Sequence, residues 1–173
     1  MISISELSRH WPRPQRQRDL IRNCEVKGIF VLGKADGDGP VLIQAATNPR
    51  QKAWQARSTE HQPDSLHALA WSLGPNASRL LKAVRGYLDK VHLGDSWFQI
   101  RAVDAIATLR QHASKLRINT VGHAAFIEAI VRQDEINQVK DIENIKDLFA
   151  GNRFTGLWDE LFLDYAEAAS AAA

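Results

Sequence analysis

The side chains best equipped for chemistry in this chain are cations. Arg50, Lys52 and Arg57 fall in one stretch and Arg79, Lys82 and Arg85 in another, with Trp54 inside the first. A guanidinium is planar, always charged and forked to match two phosphate oxygens, so such residues suit phosphate recognition. Charge is also unevenly distributed along the chain. Residues 1–117 carry 18 Lys and Arg against 10 Asp and Glu, whereas residues 118–173 carry 4 against 10, a split hidden by the formal net charge of +2. A basic majority followed by an acidic end points to nucleic-acid contact by the basic part and to a boundary near Ile118–Asn119.

Other chemistries find less support. The histidines His10, His61, His67, His92, His112 and His123 show neither i,i+4 pairing nor HExxH spacing, so a zinc enzyme is not expected. His67 and His92 read as partly buried structural histidines. The loop from Gly33 to Gly39 is glycine-rich but lacks the Gly-Lys-Ser/Thr ending of a nucleotide cradle, and its Asp36 and Asp38 read as a hairpin tip rather than cation ligands. Cys24 is the single cysteine, which excludes an internal disulfide and a multi-cysteine zinc site; it reads as a bystander thiol. Trp71 and Trp97 are expected in the core, whereas Trp54, amid Arg50, Lys52 and Arg57, is open between packing and stacking on a base.

These residues must be held by one domain, or one domain with a small appendage, in 173 residues. Hydrophobic residues at 45% and charged residues at 24% suit a folded chain. No apolar run approaches the ~20 residues of a bilayer-spanning helix, and the first residues lack the apolar core of a signal peptide, so the expectation is a cytoplasmic protein. Residues 1–25 hold Pro12 and Pro14 between arginines and read either as a basic arm along phosphates or as an irregular terminus. Val26–Gly33 and Val41–Ala45 predict two strands joined by the Asp-Gly-rich loop from Lys34 to Pro40. Asn48 before Pro49 predicts a helix start running to about Arg57. His67–Leu73 predicts a third strand, and Gly74-Pro75-Asn76 the capped start of another helix. That helix carries Leu80, Leu81, Val84, Tyr87, Leu88 and Val91 on one arc and Arg79, Lys82 and Lys90 on the other. The turn Gly94-Asp95-Ser96 leads into Trp97-Phe98, and a helix follows with Ile106, Leu109, Ala113 and Leu116 inward. Residues 118–173 predict a small acidic α-helical subdomain, a candidate dock for a protein partner.

The order of these elements resembles the GIY-YIG nuclease superfamily, in particular its phage-type branch with a Gly-Glu-Trp-Phe-like turn. Gly28-Ile29-Phe30 stands where the family has its first tripeptide, and Gly94-Asp95-Ser96-Trp97-Phe98 where the branch has its closing turn, one residue longer. The likeness covers residues 26–117 and implies an α+β domain, with a small three-stranded, mostly antiparallel sheet flanked by helices. It also implies a phage, defence or DNA-processing setting. In the family, two strand tyrosines, an arginine on the first helix and a metal-binding glutamate on the second carry phosphodiester hydrolysis. Here Phe30 replaces the first tyrosine, Leu42-Ile43-Gln44 lacks the second, Lys52 falls near the arginine position and Arg79 stands where the glutamate would be. Guanidinium in place of a carboxylate repels a cation. The resemblance thus implies a fold kept and the chemistry lost, with no cofactor. Arg50, Lys52, Arg57, Arg79, Lys82 and Arg85 would then surround the former cleft and bind DNA. The alternatives are an endonuclease that draws a Mg²⁺-binding carboxylate from Glu60 or Asp64, and an adaptor acting through its acidic tail.

Overall fold

In a computed structural model, which describes residues 1–136 and Phe149, the chain is laid out around its longest strands. The elements are β1 (Ile2–Ser3), α1 (Ile4–Leu7), α2 (Gln15–Asn23), β2 (Val26–Gly33), β3 (Val41–Ala46), α3 (Pro49–Ala56) and β4 (Ser65–Leu73). They continue with α4 (Gly74–Tyr87), a 3-10 turn (Asp89–Val91), β5 (His92–Gly94), β6 (Trp97–Phe98), α5 (Ala102–Lys115), β7 (Val121–Gly122) and α6 (His123–Ile136). All pairings are antiparallel, in the order β1-β4-β2-β3-β6-β5, with β7 sharing the outer edge of β4. The α+β class holds, but the expected three-stranded sheet is a sheet of seven strands. The four additional strands are two or three residues long, too short for a period-2 pattern to show in sequence.

Central β2 is hydrogen-bonded along both edges and covered on both faces, which is why it reads as a continuous apolar run rather than an alternation. Its residues Gly28, Phe30 and Leu32 point to one face, paired with Ala46, Gln44 and Leu42 on β3 and with Trp71, Leu69 and Leu66 on β4. A bulge at Val31/Leu32 keeps both pairings in phase. Helices α1 and α3 cover this face at one end, and α2 and α6 cover it at the other. The opposite face, with Ile29, Val31 and Ile43 and the small Ala68, Ala70 and Ser72 of β4, carries α4 and α5. Gly74 at the start of α4 lies against Lys27, Ala102 at the start of α5 lies near Gly37 and His67, and Ser72 Oγ donates to Asn119 O at 2.8 Å just beyond α5. On α5, Leu109 and Ala113 are buried as the periodicity predicts.

Two expectations about the ends of the chain are corrected. Residues 1–25 are neither an extended arm nor an irregular terminus: β1, α1 and α2 fold there, and Ile4, Leu7, Trp11, Ile21 and Cys24 are buried. The prolines precede α2 instead of preventing it, since Pro14 sits at its N-cap. Nor does the structure break at residue 117. Ile118 belongs to the main core, β7 pairs with β4, and Phe126 stacks on Trp71 with ring centroids 4.2 Å apart. Arg16 of α2 and Asp134 of α6 close this end with an ion pair at 2.8 Å. The helices expected beyond residue 136 lie outside the described residues. Among the described residues no helix is long and apolar enough to cross a membrane.

Candidate nucleic-acid interface

The basic face of α3 starts from a glycine underneath it. A Cβ on Gly28 would lie 2.5 Å from Pro49 Cγ and 2.9 Å from Leu69 Cδ1, so only a residue without a side chain lets the helix begin this close to β2. Asn48 caps α3, its Oδ1 accepting the Gln51 N–H at 3.1 Å, and Pro49 occupies the first position as predicted. The inward arc consists of Ala53 and Ala56, both buried, whose size again permits close contact. Everything large faces water: Arg50, Gln51, Lys52, Trp54, Gln55 and Arg57 are all exposed. From Asn48 to Thr59 there are three cations and no carboxylate, and an acid from elsewhere in the chain, Asp95, lines the groove that Lys52 faces.

Trp54 is 55% exposed, and the Arg57 guanidinium lies over its ring at 4.7 Å from the centroid. Arg50 Nε donates to Ser8 Oγ at 3.1 Å, bringing the end of α1 up to α3. Between them opens a groove of about 470 Å³ lined by Ser8, Asn48, Arg50, Gln51, Trp54 and Gln55. Lys52 faces a second groove, of about 410 Å³, with Gln44, Thr59, Asp95 and Ser96.

The second cationic stretch lies elsewhere. Arg79, Lys82 and Arg85 are exposed on α4, which covers the other face of the sheet, so the six residues do not surround one cleft. The chain passes from α3 through β4 to α4, and that strand carries it across to the far face. Two of the three are also engaged: Arg79 donates to Leu116 O at 2.6 Å at the end of α5, and Arg85 donates to Ser96 Oγ at 2.7 Å. Asn76 does not cap α4; Leu73 holds the cap position without a side-chain bond.

The positions singled out by the GIY-YIG resemblance are not brought together either. Phe30 is fully buried beneath α3, Lys52 is exposed above it, and Arg79 is across the sheet. The Gly94–Phe98 turn forms the β5–β6 hairpin, with Asp95 in the left-handed region at φ 49° and Ser96 O accepting from Ile43 N at 2.9 Å. Glu60 pairs with His61 at 3.2 Å, and Asp64 accepts from Ser65 Oγ at 2.8 Å. Among the described residues no three of His, Cys, Asp and Glu converge as ligands of one metal. Asp36 and Asp38 form a hairpin tip, the Asp38 N–H donating to Asp36 Oδ1 at 3.0 Å. His67 is half-buried, and burial lowers its imidazole below the usual value. His92, expected to be partly buried, is exposed, because the β5–β6 hairpin projects from the sheet edge.

Sequence patterns do not reveal the cluster at the α2–α6 end. There Trp71 Nε1–H donates to His123 Nδ1 at 3.1 Å, which fixes the ring proton on Nε2, where it donates to His10 O at 3.2 Å. Trp11 stacks on His123 at 6.0 Å. Burial pushes the His123 imidazole down to about 4, so it is neutral throughout the physiological range. The participants come from residues 10, 11, 71 and 123, a separation no local pattern can bridge.

No protein-family model, curated protein or solved structure matches this chain. The functional reading therefore rests on the residues themselves. Exposed charge and an exposed aromatic ring also meet on α4, where Tyr87, expected inward, is 63% exposed and lies against His112 at 5.1 Å; the α3 face is where an exposed cation and an exposed ring, Arg50 and Trp54, line one groove.

Proposed function

We propose that this protein is a nucleic-acid-binding module, most simply a DNA-binding one, that takes the phosphate backbone on the outward face of α3 and leaves it uncut. The observation that carries the reading is the groove on that face: Arg50 and Trp54 line one hollow, Lys52 and Arg57 are exposed beside it, and the segment holds no acid. Charge of this kind binds phosphates irrespective of sequence and releases counterions as it does so. Loss of cleavage is in keeping with Phe30 and Gln44, which bring no phenol, and with Arg79, which brings a positive charge where the GIY-YIG likeness would place a carboxylate. A cytoplasmic setting suits the reading.

A gel-shift series with and without Mg²⁺ tests it. The expected result is retardation of DNA that is independent of Mg²⁺, weakens with salt and is strongly weakened when Arg50, Lys52 and Arg57 are replaced together by Ala. Mg²⁺-dependent nicking of a plasmid, abolished by Glu60→Gln or Asp64→Asn, would replace this reading with an endonuclease. No retardation under any condition would remove nucleic acid as the partner.

A further inference from the structure

Phosphate neutralisation accounts for the cations of α3 but not for Trp54. An indole more than half exposed on a helix surface forgoes the burial that tryptophan ordinarily finds, and its neighbours Ala53 and Ala56 take the inward positions instead. The ring is nonetheless braced. Arg57, one turn further on, lies over it at 4.7 Å, and the 470 Å³ groove beside it is lined by the amides of Asn48, Gln51 and Gln55 together with Arg50 and Ser8. A flat π surface, a cation for phosphate and several amide donors and acceptors thus share one hollow.

Resting on the phosphate-binding reading above, we infer that this groove takes an unpaired base stacked on Trp54, so that the preferred ligand is a single-stranded nucleic acid. A base inside a duplex is already stacked on its neighbours and reaches a protein ring only by flipping out, whereas a single strand offers its bases freely. Phosphates of either form can meet Arg50, Lys52 and Arg57; the indole finds a partner in the single strand alone. Asn48 keeps its amide N–H donors for a base edge, because its oxygen is taken by the Gln51 N–H. Gln51 and Gln55 rotate to present either a donor or an acceptor, so the groove tolerates different bases. Sequence preference is therefore weak.

Fluorescence anisotropy with labelled oligothymidylate and with a duplex of matched length separates the two levels of the proposal. Trp54→Ala is expected to weaken single-strand binding at least about fivefold, the lower end of what one stacked base contributes, and to change duplex binding by less than about twofold. Trp54→Phe is expected to restore most of the loss, since the stacking face is kept. The Arg50→Ala/Lys52→Ala variant is expected to weaken both substrates. If it does so while Trp54→Ala affects both alike, or neither, the single-strand assignment is overturned and the phosphate reading stands. If the charge variant changes neither, the phosphate reading itself falls. Matching thermal unfolding of the variants is the control for folding.

Discussion

Trp71 and Trp54 belong to the same face of the sheet. At the α2–α6 end Trp71 is fully buried, its N–H is given to His123, and Trp11 and Phe126 pack against its ring at 6.0 and 4.2 Å. At the α3 end Trp54 stands 55% exposed with Arg57 over it and a polar groove alongside. The same side chain is structural in one place and available in the other, and its neighbours make the difference. Buried indole needs an acceptor for its single donor, and His123 is kept neutral by burial to supply one. Exposed indole, with Arg57 over its ring, offers flat surface for stacking beside cations that suit a phosphate.

The largest effect that sharpens this contrast is on stability. Trp71→Ala is expected to cost about 3–5 kcal/mol, as large aromatic truncations in cores do. Trp54→Ala should stay within about 0.5 kcal/mol, as for a surface residue. Urea unfolding of the two variants side by side measures this, and a cost for Trp54 near that for Trp71 would break the comparison.

Next in size is the pH response of the buried end. His123 titrates near 4 in the folded protein and near its ordinary 6.5 when unfolded. Between those values the unfolded chain binds more protons, so stability is full above about pH 6.5 and declines as pH falls towards about 4, by about 3 kcal/mol in all. The half-buried His67 is shifted the same way and adds to the trend. Unfolding free energies at pH 7 and pH 4.5 test it, and a flat profile would show that His123 is not sealed in.

Smaller still is the effect of lifting α3. Gly28→Ala places a methyl group against Pro49 and Leu69 and is expected to cost about 1–3 kcal/mol by overpacking. Nucleic-acid affinity of the folded fraction should fall as well, because the start of α3 is displaced. Arg79→Ala is expected to have the least effect, about 0.5–1 kcal/mol for its bond to Leu116 O. It should leave nucleic-acid binding unchanged.

Much of the fold was legible in sequence. The β2–β3 hairpin announced itself through two apolar runs around Asp-Gly pairs, α3 through Asn48-Pro49, and α5 through its periodic Leu109 and Ala113. The short edge strands were not legible, because two residues carry no period. The N-terminal helices were obscured by Pro12 and Pro14, whose helix-breaking reputation holds within a helix and not at its start. At the candidate site, the cations of α3 and the ambiguity of Trp54 were visible, but the face of the sheet on which each helix lies was not. That single topological fact separates Arg79 and Lys82 from Arg50, Lys52 and Arg57, while Arg85 reaches Ser96 at the rim of the groove that Lys52 faces. Ser8 was also invisible, since its approach to Arg50 depends on α1 folding back beside α3.

The most direct test of the central claim is the salt dependence of nucleic-acid binding for two triple variants. Each phosphate contact contributes about 0.7–0.9 to the slope of log affinity against log salt. Replacing Arg50, Lys52 and Arg57 by Ala is expected to flatten the slope by about two to three units. Replacing Arg79, Lys82 and Arg85 is expected to flatten it by less than about one unit, since of the three only Arg85 reaches a residue, Ser96, that lines the groove of Lys52. Equal flattening in both variants, or flattening in the α4 variant alone, would contradict the assignment of binding to the α3 face.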